Sequence, residues 1–294
     1  MLVTMNEILS DAKKRKYAVG AFNVPNLESV QAVIEAAEEL YLPVIIQHAE
    51  VHENMISLEE IGPIMLDYAK RACVPVCVHL DHGASFDMCM KAIRLGFTSI
   101  MYDASSKSYE ENFNETKEIV KIAHATDVSV EAELGHIFTS SVGGGEGRKA
   151  VGADDFSSLN DCYTDPETAK EFVLGTGVDA LAISFGTTHG VYLTEPKLDL
   201  NRITEIKNKI DIPFVMHGGS GVSDDDFKTA IKNGITKINY YTYGSLAGGK
   251  AIEKLIKNSC GQEVFFHDLI AAGKLGIKQD VKSAMSIFAD SILS

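Results

Sequence analysis

Three histidines, each followed by glycine, carry the strongest chemical signal in this sequence: His82-Gly83, His189-Gly190 and His217-Gly218. Three neutral imidazoles that leave one position open suit a catalytic Zn²⁺, and Co²⁺ or Mn²⁺ accept the same donors. A lone histidine at a strand end is more often a cap or a core residue, but three with one pattern suggest a ligand set. Carboxylates stand nearby: Asp81 directly precedes His82, and Glu133 lies in Glu131-Ala-Glu133-Leu-Gly135. The glycines add a second signal. His217-Gly-Gly-Ser220-Gly221 precedes a helix start, where exposed backbone N–H groups could hold an anion such as phosphate.

These residues need a scaffold that brings them together. Eight short, Val/Ile-rich runs read as strands: Tyr17–Asn23, Pro43–Gln47, Pro75–Leu80, Ser99–Asp103, Ser129–Glu133, Ala180–Ser184, Pro213–His217 and Lys237–Asn239. Their lack of polar alternation suits parallel strands covered on both faces. Amphipathic stretches lie between them. Asn26–Leu40 opens on a cap residue, and Ser223–Asn233 places acids in its first turn. Eight such units predict a (β/α)8 TIM barrel over 1–294, a single domain with extra C-terminal helices, although an open doubly wound sheet shares the local pattern. In a barrel the strand carboxyl ends meet at one mouth, so the histidines would converge there. Neighbouring strand residues face opposite ways, so Asp81 and His82 can both serve only if the chain bends after Leu80. Phe138–Thr164 fits no periodic element and reads as a long lid-like connection.

Composition narrows the partners. A net charge of −14 over 294 residues argues against nonspecific binding to nucleic acid or to an anionic membrane. A phosphorylated substrate would then depend on local features. The five cysteines form no tight ligand pair, the N-terminus lacks an apolar signal core, and no apolar run reaches membrane-spanning length. These features point to a reducing cytoplasm.

Taken together, His79-Leu-Asp-His82, Glu131-Ala-Glu-Leu-Gly135, Gly186-Thr-Thr-His-Gly190, His217-Gly-Gly-Ser220 and Asn239-Tyr-Tyr-Thr242 resemble, in order, the motifs of class II fructose-bisphosphate and tagatose-bisphosphate aldolases. Gly20-Ala-Phe-Asn-Val24 and Tyr163-Thr-Asp-Pro166 fit the same family. The resemblance runs from about Asn6 to Thr242 and weakens beyond.

The resemblance implies a metal-dependent lyase that cleaves a ketose phosphate to dihydroxyacetone phosphate and an aldehyde through a zinc-stabilised enediolate. It makes His82, His189 and His217 the metal ligands and Glu133 a carboxylate for an alternative, inward metal position. Asp81 matches the aspartate that takes the C4 hydroxyl proton in cleavage and protonates the aldehyde oxygen in condensation. A plainer role for Asp81 is to orient His82. Glu146, in Gly144-Gly145-Glu146-Gly147, matches the acid–base glutamate of a mobile loop. Asn23, Gly190, Gly218, Ser220, Asn239 and Thr242 match substrate and phosphate contacts, near which the family also binds Na⁺ or K⁺. Asn239 and Thr242 could instead cap the last helix. The small-molecule sugar phosphate is the implied partner, and the assembly a homodimer or homotetramer.

The departures concern the distal end of the sugar. Leu193 stands where the family commonly has lysine, Ala49 where it has serine, and Tyr243 where it has an acid. Phe266-His267-Asp268-Leu269 replaces a segment that carries an arginine. Removing cations removes phosphate contacts that neutral groups do not replace. The expectation is a retained dihydroxyacetone phosphate half and an altered aldehyde half, with His48, His52 and Arg148 as candidate contacts. A conventional fructose- or tagatose-1,6-bisphosphate aldolase is the alternative. Outside this class stand a metal-dependent hydrolase, whose His-x-His is replaced here by Ala21-Phe22-Asn23, and a non-catalytic sugar-phosphate-binding barrel, which would be expected to have lost a ligand.

Overall fold

Strands with no polar face need cover on both sides, and a closed barrel ringed by helices provides it. The computed structural model describes residues 1–143, 150 and 162–293. Its core strands are β1 (Val19–Asn23), β2 (Val44–Ala49), β3 (Val76–Gly83), β4 (Ser99–Tyr102), β5 (Ser129–Leu134), β7 (Ala180–Ile183), β9 (Phe214–Met216) and β10 (Ile235–Asn239). They are all parallel and close in the order β1-β10-β9-β7-β5-β4-β3-β2, a TIM barrel. Every residue in these eight strands is buried, which explains why most of them are apolar.

Local sequence sets the helix limits. Asn26 caps α2 (Leu27–Leu40) by accepting the Ser29 N–H at 2.9 Å. Ser223 does the same for α8 (Asp224–Asn233), whose first turn holds Asp224, Asp225 and Asp226. Gly96, at φ 98°, ends α4 (Phe86–Leu95) in a left-handed turn that suits a residue without Cβ.

Two strands run further than their apolar cores suggest. The β2–β3 ladder continues through Gln47↔His79 to Ala49↔Asp81, carrying polar residues to the mouth. There the chain bends as required: His82 adopts φ 46°, and the β3–β4 register shifts between Leu80 and Gly83. This bulge lets neighbours in sequence share one side of the barrel.

The long connection is not wholly irregular. Phe138–Thr139 forms a short strand, β6, pairing in parallel with β8 (Thr188–His189), which corrects the aperiodic reading. The ladder ties the start of that connection directly to His189. Glu146 and Arg148 lie outside the described residues.

The chain ends in α9 (Thr242–Asn258), α10 (Phe266–Phe288) and the short α11 (Asp290–Leu293). Helix α10 packs against α9 and α2, with Lys278 and Lys282 reaching Glu39 at 3.0 and 2.6 Å. All five cysteines are free thiols. No helix among the described residues is long and apolar enough to cross a membrane.

Candidate metal centre and active site

The three histidines converge at the mouth although they come from three different strand ends. One ring nitrogen of each lies within 4.8 Å of the others, and all three are buried. The tightest pair is His82 Nε2 and His217 Nδ1, 2.9 Å apart. Carboxylates fix the other nitrogens. His82 Nδ1 lies 2.8 Å from Asp103 Oδ2, and His217 Nε2 lies 2.8 Å from Glu131 Oε1. An ionised carboxylate only accepts, so each of those nitrogens carries the ring proton. The facing nitrogens are then two lone pairs aimed at one another, an arrangement that a cation relieves. Residues and chemistry therefore fit a divalent ion on three imidazoles, two of them oriented by carboxylates. A second group of candidate ligands, His82, Asp103 and Glu133, shares His82 and adjoins the first.

Beneath the histidines lies a fully buried charge pair. Lys237 Nζ donates to Glu131 Oε2 at 2.7 Å, with both side chains fully buried. Burial would raise the Glu131 pKa, but the Lys237 ammonium and the His217 bond overcome it and hold the carboxyl at about 2. Its folded value is depressed, so it contributes stability above the ordinary carboxylate range, lost as pH falls from about 4 towards 2. His79 sits beside it, donating to or accepting from Ser99 Oγ at 2.8 Å, and burial lowers its pKa to about 3, aided by Lys237. Replacing Lys237 with methionine should destabilise the protein by about 3–5 kcal/mol, because Glu131 would remain as an uncompensated buried charge. Thermal unfolding of Lys237→Met against Lys237→Met/Glu131→Gln checks this; the double variant should recover part of the loss.

Asp81 is held by two amides. Asn23 Nδ2 donates to Asp81 Oδ2, and Asn239 Nδ2 donates to Asp81 Oδ1, each at 2.9 Å. Gln47 Nε2 fixes the Asn23 carbonyl at 3.0 Å. Asp81 is buried, which opposes ionisation, yet the neighbouring His82, His217 and Lys237 hold its carboxyl well below the usual carboxylate range. Its Oδ1 is 4.0 Å from His82 Nε2, so the residue that orients His82 is Asp103 and not Asp81.

Next to Asp81 the backbone forms a glycine-lined concavity. Gly190 and Gly218 have φ of 92° and 65°, and a Cβ on Gly218 would lie 2.6 Å from the Thr188 carbonyl oxygen. The Tyr192 hydroxyl clamps this turn, accepting the Thr188 N–H and donating to the Gly218 carbonyl, both at 2.9 Å. Ser220 Oγ accepts the Tyr241 and Tyr243 N–H groups at 3.2 and 3.4 Å, anchoring the start of α9. Asn23, Gly190, Gly218, Ser220, Asn239 and Thr242 all line one cavity with Asp81 and His189. Helix capping is not the work of Asn239 or Thr242. Tyr241 is the N-cap of α9, Thr242 is already helical with its hydroxyl on the Gly143 carbonyl, and the Asn239 amide is engaged by Asp81. A larger cavity, about 510 Å³, lies elsewhere, against Ile8, Tyr17 and Pro75 at the strand N-terminal ends. Barrel enzymes do not build their chemistry at that face.

Three contributors went unread in the sequence: Asp103, Glu131 as a partner of His217, and Lys237. Each left a signal. Asp103 follows a strand directly, while Lys237 and Glu131 are charges inside strands that must be buried and therefore need each other.

Comparisons with known proteins identify the family and the fold. The chain matches the family described as fructose-bisphosphate aldolase class-II over residues 3–291, so the likeness continues well beyond Thr242. The chain is 40% identical to the fructose-bisphosphate aldolase of Staphylococcus aureus, covering 99% of this chain and 98% of that protein. It is 41% identical to a probable fructose-bisphosphate aldolase of Bacillus subtilis, over 87% and 86%. The solved structure of the YdjI aldolase of Escherichia coli K12 superposes with a TM-score of 0.84 at 34% identity, covering 99% of both chains. Family match and relatives together show that this chain belongs to the class II fructose-bisphosphate aldolases, a family of lyases that is generally metal-dependent.

Proposed function

We propose that this protein is a zinc-dependent ketose-phosphate aldolase that releases dihydroxyacetone phosphate and an aldehyde other than glyceraldehyde 3-phosphate. The observation that carries the chemistry is the placement of Asp81, fixed by two amides, beside three histidines and a glycine-lined concavity. In this reading His82, His189 and His217 hold the ion, with Glu133 available to it from the adjoining ligand group. A divalent ion bound there stabilises the negative charge left on the three-carbon fragment when the C3–C4 bond breaks.

The protein's own groups do the rest. Asp81, ionised in its cradle, accepts the proton of the C4 hydroxyl as that carbon becomes the aldehyde, and returns it in condensation. Asn23 and Asn239 keep its two oxygens in position. Gly190, Gly218, Ser220 and Thr242 receive the phosphate of the donor half, using backbone N–H groups near the start of α9 in place of cations. Glu146, by its resemblance to the loop glutamate, exchanges the proton on the carbon of the fragment. The whole chain works as one barrel unit, and its free thiols suit a reducing cytoplasm.

Leu193, Ala49, Tyr243 and the Phe266–Leu269 segment favour the altered aldehyde half. The test is cleavage of fructose 1,6-bisphosphate against a set of ketose 1-phosphates, with a chelator control and Zn²⁺ restoration. Chelator-sensitive cleavage with kcat/KM at least tenfold higher on a monophosphate supports the reading. A strong preference for the bisphosphate would return the protein to the conventional activity.

A further inference from the structure

The turn after β2, Glu50–Asn54, carries His52 over the barrel mouth, and His48 sits behind it in β2. His48 is 0% and His52 1% exposed. Among the described residues, no ring nitrogen of either histidine has a hydrogen-bond partner. Glu53 Oε1 lies 3.4 Å from His48 Nε2 without forming a hydrogen bond. The two rings are 5.9 Å apart between centroids, and His52 lies 5.3 Å from the ring of Tyr241. Tyr241 lines the cavity that holds Asp81.

Buried polar groups are nearly always satisfied, and leaving one unmade costs free energy. Two such imidazoles together beside a reactive carboxylate call for a polar partner. Burial disfavours the protonated form of both, lowering His48 to about 4, so the pair is neutral at neutral pH. A neutral imidazole offers one donor and one acceptor, which matches a hydroxyl group and gives no charge to a phosphate.

Resting on the aldolase reading above, we infer that His52, with His48 packed behind it, binds a hydroxyl of the aldehyde half of the substrate and selects hydroxylated aldehydes over alkyl ones. Asp81 acts on the oxygen of the aldehyde carbon, and His52 packs on Tyr241, which lines the cavity that holds Asp81. The missing cations then have a replacement suited to sugars: the polar pair recognises hydroxyls where a phosphate-binding relative would need lysine or arginine.

The test is condensation of dihydroxyacetone phosphate with glyceraldehyde and with propionaldehyde, which share a chain length and differ in hydroxyls. The wild-type holoenzyme should favour glyceraldehyde. His52→Phe should lower the ratio of kcat/KM values, glyceraldehyde over propionaldehyde, by about 10- to 100-fold. His52→Gln, which keeps a donor and an acceptor, should restore part of the ratio. An unchanged ratio in His52→Phe, whether activity falls or not, would overturn the inference and leave the aldolase reading intact. Absence of any condensation by the wild-type holoenzyme would overturn both.

Discussion

Asp81→Asn will lower kcat for carbon–carbon cleavage by roughly 10²- to 10⁴-fold, the range typical of a lost general base, while the bound metal stays near the wild-type level. The carboxylate sits in a cradle built for an acceptor on both oxygens, since Asn23 and Asn239 each present an N–H to it. Asparagine keeps the shape but cannot take the C4 hydroxyl proton. It also sets an N–H₂ against one of the two donors. Metal content should hold because the group that fixes His82 is Asp103, and that bond is untouched. Steady-state kinetics with metal analysis on the same sample checks both halves. A variant that loses metal and activity together would show instead that Asp81 acts mainly by keeping the histidines in place.

Removing the metal produces the other large effect, and here activity and fold should part company. Treatment with a chelator should reduce cleavage by at least about 10³-fold, since charge stabilisation of this kind is worth several kcal/mol at the transition state. Far-ultraviolet circular dichroism should stay unchanged, because the rings are held from behind by Asp103 and Glu131, and added Zn²⁺ should restore the rate. His217→Ala should give the same loss of activity, with no rescue by Zn²⁺ and with a lower Tm. His217 also donates to Glu131, and deleting the ring leaves that buried carboxylate with Lys237 as its remaining close charge partner. Calorimetry of the metal-free wild type against His217→Ala separates these contributions. Equal Tm values would mean that Lys237 alone suffices to hold Glu131.

Much of the active region was legible because barrel physics writes it into short segments. Strands buried on both faces leave apolar runs, and their ends must carry whatever chemistry the mouth has. His82, His189 and His217 could be grouped on that ground alone. The need for a bend after Leu80 was equally legible, and His82 meets it with φ 46°. The glycines that line the concavity beside Asp81 announced themselves by type, since a Cβ on Gly218 would meet the Thr188 carbonyl.

The wiring between segments was not legible. Asn239 reads as a phosphate contact or a helix cap, yet its amide holds Asp81, 158 residues away in the chain. Glu131 and Lys237, 106 residues apart, form the buried pair beneath His217. No local pattern records either partnership, because both depend on which strands become neighbours when the sheet closes and on the register between them. Residue types and spacing determine that three histidines, a carboxylate and a run of glycines are available at one mouth. Barrel closure, which sets β10 between β1 and β9 with Lys237 beside Val19 and Val215, decides which side chain holds which. The physical reason is that burial leaves each charge and amide no water to bind, so its partner is whichever group the closed sheet brings within about 3 Å.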